Sequence, residues 1–227
     1  MSKKKVLFVI TNHHELGKTG KKTGFYLPEV SHPAHVLTTA GWEIDFVSPK
    51  GGLAPRDPSN EGKEDEHDQW FLKQPQLFQK TQKTLNPQEV DPTLYQAIFY
   101  AGGHGTMWDF RSSPKLNQVA VSIYEQGGIV AAVCHGPAGL VDLTLSNGKP
   151  LVEGKEVAAF SNDEEEAIGY TNTVPFLLES ELAKKGAIYS KSPLWQEHVK
   201  VDQRLVTGQN PASAMGVGRA MLALLSA

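Results

Sequence analysis

Ile129-Val-Ala-Ala-Val-Cys-His-Gly-Pro137 decides how the chain is read. Ile129 to Val133 is a small apolar run of strand length, and glycine and proline stop it directly after Cys134-His135. A buried strand running into a sharp turn that carries a nucleophile is the elbow pattern that presents serine in G-x-S-x-G hydrolases, although the flanking residues differ here. Such a turn projects the thiol outward, and the N-terminus of the helix expected after it favours thiolate over thiol. His135 offers its backbone N–H to an oxyanion and its side chain to the site. A lone cysteine is ordinarily a small buried apolar residue, so its neighbours are what single this one out.

The rest of the chain is organised around similar units. Lys4 to Ile10 and Glu43 to Val47 are expected strands, and Pro28 to Ala40, with proline near its start and Gly41 past its end, is the helix between them. From Ser48 to about Gln74 the composition turns to Gly, Pro, Asp, Asn and Glu, too long for an ordinary connection. It reads as an inserted loop or small cap, solvated or functional, leading into a helix from Pro75 to Leu85. Tyr95 to Tyr100 is a third strand and Pro114 to Gln126 a helix stopped by Gly127-Gly128. After Cys134 come a strand at Glu156 to Phe160, a helix at Val174 to Lys185, a hairpin of Val199–Val201 with Leu205–Thr207, and a helix from Pro211 to Leu225. Strands alternating with helices predict an α/β fold, a mostly parallel sheet sandwiched between helices. At 227 residues the expectation is one domain, 1–227, with an inserted cap at about 48–85.

Composition narrows the function classes. Lys and Arg total 22 against 25 Asp and Glu, a net charge of −3, so no basic stripe points to nucleic acid. The basic start Met1-Ser-Lys-Lys-Lys5 and the apolar run behind it are too short for a signal peptide and lack a small-residue cleavage site. No stretch has the length to span a bilayer. One cysteine excludes an internal disulfide and fits a reducing compartment, with the cytoplasm as the expected location.

Two further segments carry chemistry. Ala101-Gly-Gly-His-Gly105 closes the third strand, and the N–H of Gly103 is a candidate second oxyanion donor, because glycine allows close backbone approach. An ordinary glycine-rich turn would look the same. Glu29, in Gly24-Phe-Tyr-Leu-Pro-Glu-Val30, is a candidate proton-transfer group: burial in a partly apolar pocket raises a carboxyl toward neutrality. The competing reading is a glutamate placed in a first turn by the helix dipole.

Four blocks together resemble the ThiJ/PfpI superfamily, within it the glyoxalase III and stress-chaperone branch. They are Lys22-Thr-Gly-Phe-Tyr-Leu-Pro-Glu29, Ala101-Gly-Gly-His-Gly-Thr-Met-Trp-Asp109, Val130-Ala-Ala-Val-Cys-His-Gly-Pro137 and Arg204-Leu-Val-Thr-Gly-Gln-Asn-Pro-Ala-Ser213. With the long insertion, the likeness spans nearly the whole chain. It implies a flavodoxin-like, class I glutamine amidotransferase-like fold, Cys134 as nucleophile, His135 as its catalytic neighbour and Glu29 as acidic partner. It also implies an acid that orients the histidine after the next strand; Glu165 is the best match within Asp163-Glu-Glu-Glu166, and a solvated acidic helix start competes. The implied reaction converts methylglyoxal, a 2-oxoaldehyde, and water to lactate without glutathione, cofactor or metal, in a homodimer.

Other functions share these residues. A glutaminase needs a late His-x-Glu pair, and His198 is followed by Val199-Lys200, which rejects amide transfer. A cysteine peptidase or a deglycase would use the same thiol. A redox sensor would exploit its oxidisability. A holdase chaperone for unfolded clients is the non-enzymatic rival, resting on the family branch and on Trp70-Phe71. His13, His14, Glu15, His32, His35 and His104 form no full metal-ligand motif, so no metal site is expected.

Overall fold

The computed structural model describes residues 4–227; Met1, Ser2 and Lys3 of the basic start lie outside the described residues. The first strand, β1 (Lys5–Val9), is buried from Val6 onward. Pro28 opens helix α1 (Pro28–Thr39), supplying a preset φ where no N–H is needed, and Gly41 at φ +83° ends the unit before β2 (Glu43–Val47). Parallel pairing of β1 with β2, Val6 opposite Ile44 and Phe8 opposite Phe46, places both apolar sets in one core.

The segment expected as an inserted loop is more ordered than its composition predicts. It holds a 3-10 turn at Pro58–Asn60, helix α2 (Glu66–Leu72) and helix α3 (Pro75–Gln82). Asp65 caps α2 by accepting from the N–H of His67 and Asp68. Asp68 is buried and accepts from Ser31 Oγ of α1 and from Asn60 Nδ2, and Phe71 joins the core. Asp68 is thus tied inward, against a solvated reading of the segment, while Asp65 stays exposed at the helix cap. Helix α3 stops at Gln82, short of Leu85, because Leu85 N–H donates to Phe46 O beside β2.

Next come β3 (Ala97–Tyr100), the single turn α4 (Thr106–Asp109), α5 (Pro114–Glu125) and β4 (Ile129–Val133). They are followed by β5 (Glu156–Val157), α6 (Asn162–Ala167), α7 (Leu178–Lys184), β6 (Ile188–Tyr189), the hairpin β7 (Val199–Asp202) and β8 (Leu205–Gly208), and α8 (Ala214–Leu225). The main sheet runs β2-β1-β3-β4-β8-β7, parallel except for the antiparallel edge strand β7. It is a mostly parallel α/β sheet flanked by helices, with an apolar cluster on each face.

Two elements differ from expectation. The strand expected over 156–160 is only β5, paired with β6 outside the main sheet. Its continuation is held instead by Ala158 N–H donating to Thr207 Oγ1 and Phe160 N–H donating to Cys134 O, so the chain crosses the carboxyl edge of the sheet. The helix expected from Val174 begins at Leu178, since Pro175 disfavours helical backbone at the residue before it. The first departure brings the chain past Cys134 directly before α6.

Candidate active site

The site lies where β1, β3 and β4 end. Cys134 follows β4 with φ +59°, a left-handed conformation uncommon for a residue with a Cβ, held by Cys134 N–H donating to Gly208 O and by its own carbonyl accepting from Phe160. Gly136 must be glycine here, since a Cβ would stand 2.1 Å from Tyr100 O. The segment Gly136–Leu140 is a 3-10 turn rather than an α-helix. That corrects the expectation of a thiolate favoured by a helix N-terminus. Burial pushes the Cys134 thiol up from its ordinary range, and the neighbouring Glu29 carboxyl pushes it the same way.

Glu29 projects from the first turn of α1 and is fully buried. Burial raises its carboxyl to about 8, against the opposing pull of the Cys134 thiol and the Gly102 N–H. Neither oxygen makes a hydrogen bond of ordinary geometry among the described residues, so the group is held close to these donors without being neutralised by them. Gly102 makes the approach possible. A Cβ there would lie 2.2 Å from Glu29 Oε2 and 3.0 Å from Cys134 Cβ.

On the other side of the sulfur, His135 Nδ1 is 3.3 Å from Sγ and its Nε2 is 2.8 Å from Glu165 Oε2. Burial, and then His104, lower the pKa of His135 despite the acid beside it. Burial alone would raise Glu165, but the two histidines outweigh it and hold the carboxyl at about 2. A neutral imidazole facing a carboxylate must carry its proton on Nε2, which leaves the Nδ1 lone pair toward the thiol. Gly103, at φ +104°, leaves no room for a Cβ, which would meet Gly24 O at 2.2 Å. Its N–H has no acceptor among the described residues, and the His135 N–H faces the sulfur. A half-open chamber of about 140 Å³ lies over these groups, walled by Tyr26, Phe160, Ile168 and Trp195, with Asp57 and Ser59 contributed by the 48–85 segment.

Residues 22–224 match the DJ-1/PfpI family. The chain belongs to the DJ-1/PfpI family. Among its relatives in that family, the chain is 36% identical to the glutathione-independent glyoxalase HSP31 of Saccharomyces cerevisiae, over 94% of each chain. The crystal structure of glyoxalase III from Candida albicans superposes with a TM-score of 0.88 at 30% identity, covering 97% of this chain and 96% of that one. The Rapid Encystment Protein of Francisella tularensis superposes at 0.94 with 39% identity, covering 98% and 99%.

Within this DJ-1/PfpI site the geometry brings Glu29, Gly103, Cys134, His135 and Glu165 together. Among the four consecutive acids, Glu164 caps α6 by accepting from Ser161 N–H, and it also accepts from Asn210 Nδ2 and Trp195 N–H. Glu165 is then the residue turned toward His135. The Ser161-x-x-Glu164 capping box was visible in the sequence and separates the two. His104 also reaches Glu165, 3.0 Å from Oε1, which sequence reading had placed only in a glycine-rich turn or among stray histidines. Among the described residues, His104, His135 and Glu165 form one of two groupings of metal-type donors, the other being His32, Asp65 and Asp68. The two imidazoles and the carboxylate satisfy one another by hydrogen bonds, and Asp68 is already bonded to Ser31 and Asn60. Trp195 at φ +63° and Tyr26 were not singled out from sequence, since only the fold brings them to the chamber. No helix of the described residues is long and apolar enough to cross a membrane.

Proposed function

We propose that the protein is a glutathione-independent glyoxalase that converts methylglyoxal and water to lactate at Cys134. The observation that carries this reading is the pairing of buried Glu29 and Cys134 at one small chamber, with His135 and Glu165 on the far side of the sulfur. A chamber of about 140 Å³ suits a three-carbon dicarbonyl and favours it over a peptide. The glyoxalase names of the relatives support the same substrate class.

The thiol adds to the aldehyde carbon: a C–S bond forms as the C=O π bond breaks, and the thiol proton passes by way of His135 Nδ1 to the carbonyl oxygen, which becomes the hydroxyl of a hemithioacetal. The Gly103 and His135 amides face that oxygen while it is negative. Glu29 as carboxylate removes the hydrogen on the same carbon while the proton of the first hydroxyl passes to the neighbouring ketone oxygen, giving an enediolate. Return of the proton from Glu29 to the second carbon gives a lactyl thioester. Water then displaces Cys134 and releases lactate. A carboxyl raised to about 8 suits this traffic, since it accepts and returns a proton near neutral pH. No cofactor enters these steps.

Around this chemistry we read one domain, with the 48–85 segment as a cap whose Asp57 and Ser59 close the chamber, acting in a reducing cytoplasm as a homodimer. Exposed Leu194 and Trp195 beside the chamber favour a second, holdase role toward unfolded clients. The test is lactate formation from methylglyoxal without glutathione. Wild type is expected to be active and Cys134→Ser inactive at matched folded concentration; equal activity of the two, or none in either, overturns the reading. Suppression of client aggregation that survives Cys134→Ala is expected of the holdase role, and its absence in wild type refutes it.

A further inference from the structure

We infer that His104 is a positioning residue for the proposed thiol chemistry: by occupying one oxygen of Glu165 it leaves the other to His135 and locks His135 in the tautomer whose lone pair faces Cys134. The inference rests on that chemistry for its consequence but on geometry for its substance. Glu165 is nearly fully buried and receives two imidazoles, His135 Nε2 on Oε2 at 2.8 Å and His104 Nε2 on Oε1 at 3.0 Å. A carboxylate has no proton to give, so both nitrogens facing it must be donors. For His135 this fixes Nε2–H and reserves Nδ1, 3.3 Å from Sγ, as acceptor.

His104 is itself held for this task. Its ring centre lies 4.1 Å from that of His135, 5.2 Å from Tyr170 and 6.1 Å from Phe160, the latter two edge-on. It comes from the turn after β3, while His135 follows β4 and Glu165 sits on α6, so three separate elements converge on one carboxylate. Without the His104 donor, Oε1 has no partner among the described residues, and Glu165 gains freedom to rotate away from His135. The Nδ1–H tautomer then becomes accessible, and in it no lone pair meets the thiol.

Two substitutions separate donor from packing. His104→Phe keeps a ring against Tyr170 and Phe160 and removes the donor; His104→Gln removes the ring and keeps an N–H donor. Long-range proton–nitrogen NMR of histidine-labelled protein is expected to show one Nε2–H tautomer of His135 in wild type and His104→Gln, and a mixture in His104→Phe. In lactate formation, kcat should fall about tenfold in His104→Phe with KM held within about twofold, the scale of losing one charge-assisted hydrogen bond. An unchanged His135 tautomer in His104→Phe overturns the inference, as does a loss confined to His104→Gln, which would make the ring's packing the cause. The tautomer readout needs no turnover, so failure of the glyoxalase reading and failure of this one are distinguishable.

Discussion

Glu29→Gln is expected to abolish lactate formation while flattening the protein's stability against pH. In the unfolded chain the Glu29 carboxyl ionises near its ordinary 4.5, whereas in the folded protein it does so at about 8. Between these values the folded state binds the extra proton, so stability falls as pH rises through the window and levels off above it. The difference, 8 − 4.5, corresponds to about 5 kcal/mol lost by about pH 9 and about 3 kcal/mol by neutrality, on the order-of-magnitude scale of 1.4 kcal/mol per pH unit. Glutamine is neutral throughout and nearly isosteric, at the cost of a buried amide without a partner, roughly 1–3 kcal/mol. The variant should therefore be comparable to wild type near neutrality, less stable at about pH 5 and more stable at about pH 9. Other groups titrate in the same range, with Asp109 raised to about 6 and His135 lowered, but they are common to both proteins and cancel in the difference. Urea unfolding followed by circular dichroism between about pH 5 and 9 measures it. Parallel stability curves for the two proteins would refute the argument that Glu29 folds protonated.

The remaining predictions probe the same site and its frame. Gly102→Ala inserts a methyl group 2.2 Å from Glu29 Oε2; the fold should survive at a cost of about 1–3 kcal/mol, while kcat drops by about 100-fold as the carboxyl is displaced. Retention of wild-type turnover would break the proposed Glu29–Cys134 partnership. For wild type, kcat/KM for methylglyoxal should rise with pH through an apparent value of about 8 that belongs to the Glu29–Cys134 pair, since the carboxylate is the base; a profile flat from about pH 6 to 8 would argue against it. Arg204→Ala should lower stability by about 2–3 kcal/mol with little effect on KM. It removes donations from Nη1 to Tyr124 O at 2.5 Å and Gly128 O at 2.7 Å, and a guanidinium 4.1 Å over the Tyr124 ring. A melting temperature equal to wild type would contradict that accounting.

What was legible in the sequence is what local chemistry dictates. Pro28 and Gly41 bracket α1, and the apolar run before Cys134 closes on a glycine that backbone contact requires, so both elements could be placed from their own residues. The candidate residues gathered at the carboxyl edge for the same reason: β1, β3 and β4 run parallel, which brings the turns after them to one side. Side-chain contacts between distant segments were not legible. The acidic residues of 61–68 looked solvated, yet Asp68 is drawn under α1 by Ser31, and β5 stops early because a hydroxyl on β8 takes the next N–H.

The same distinction explains the thiol. Local reasoning weighed the turn after Cys134 and expected an activated thiolate, because a helix N-terminus is a short-range feature of the sequence. Burial is not, and it acts on Cys134 and Glu29 together, raising both. The consequence is chemical: in the resting protein near neutral pH the nucleophile and its acidic partner share a chamber as thiol and predominantly protonated carboxyl, while His135 supplies the lone pair and Glu165 the charge. Such a site holds its proton until a carbonyl arrives to accept the sulfur's electrons, so activation belongs to the complex with substrate. Alkylation of Cys134 by iodoacetamide should accordingly be slow near neutral pH and accelerate only above the range of an ordinary thiol, roughly pH 8.5, whereas a helix-activated thiolate would react at full rate near neutrality.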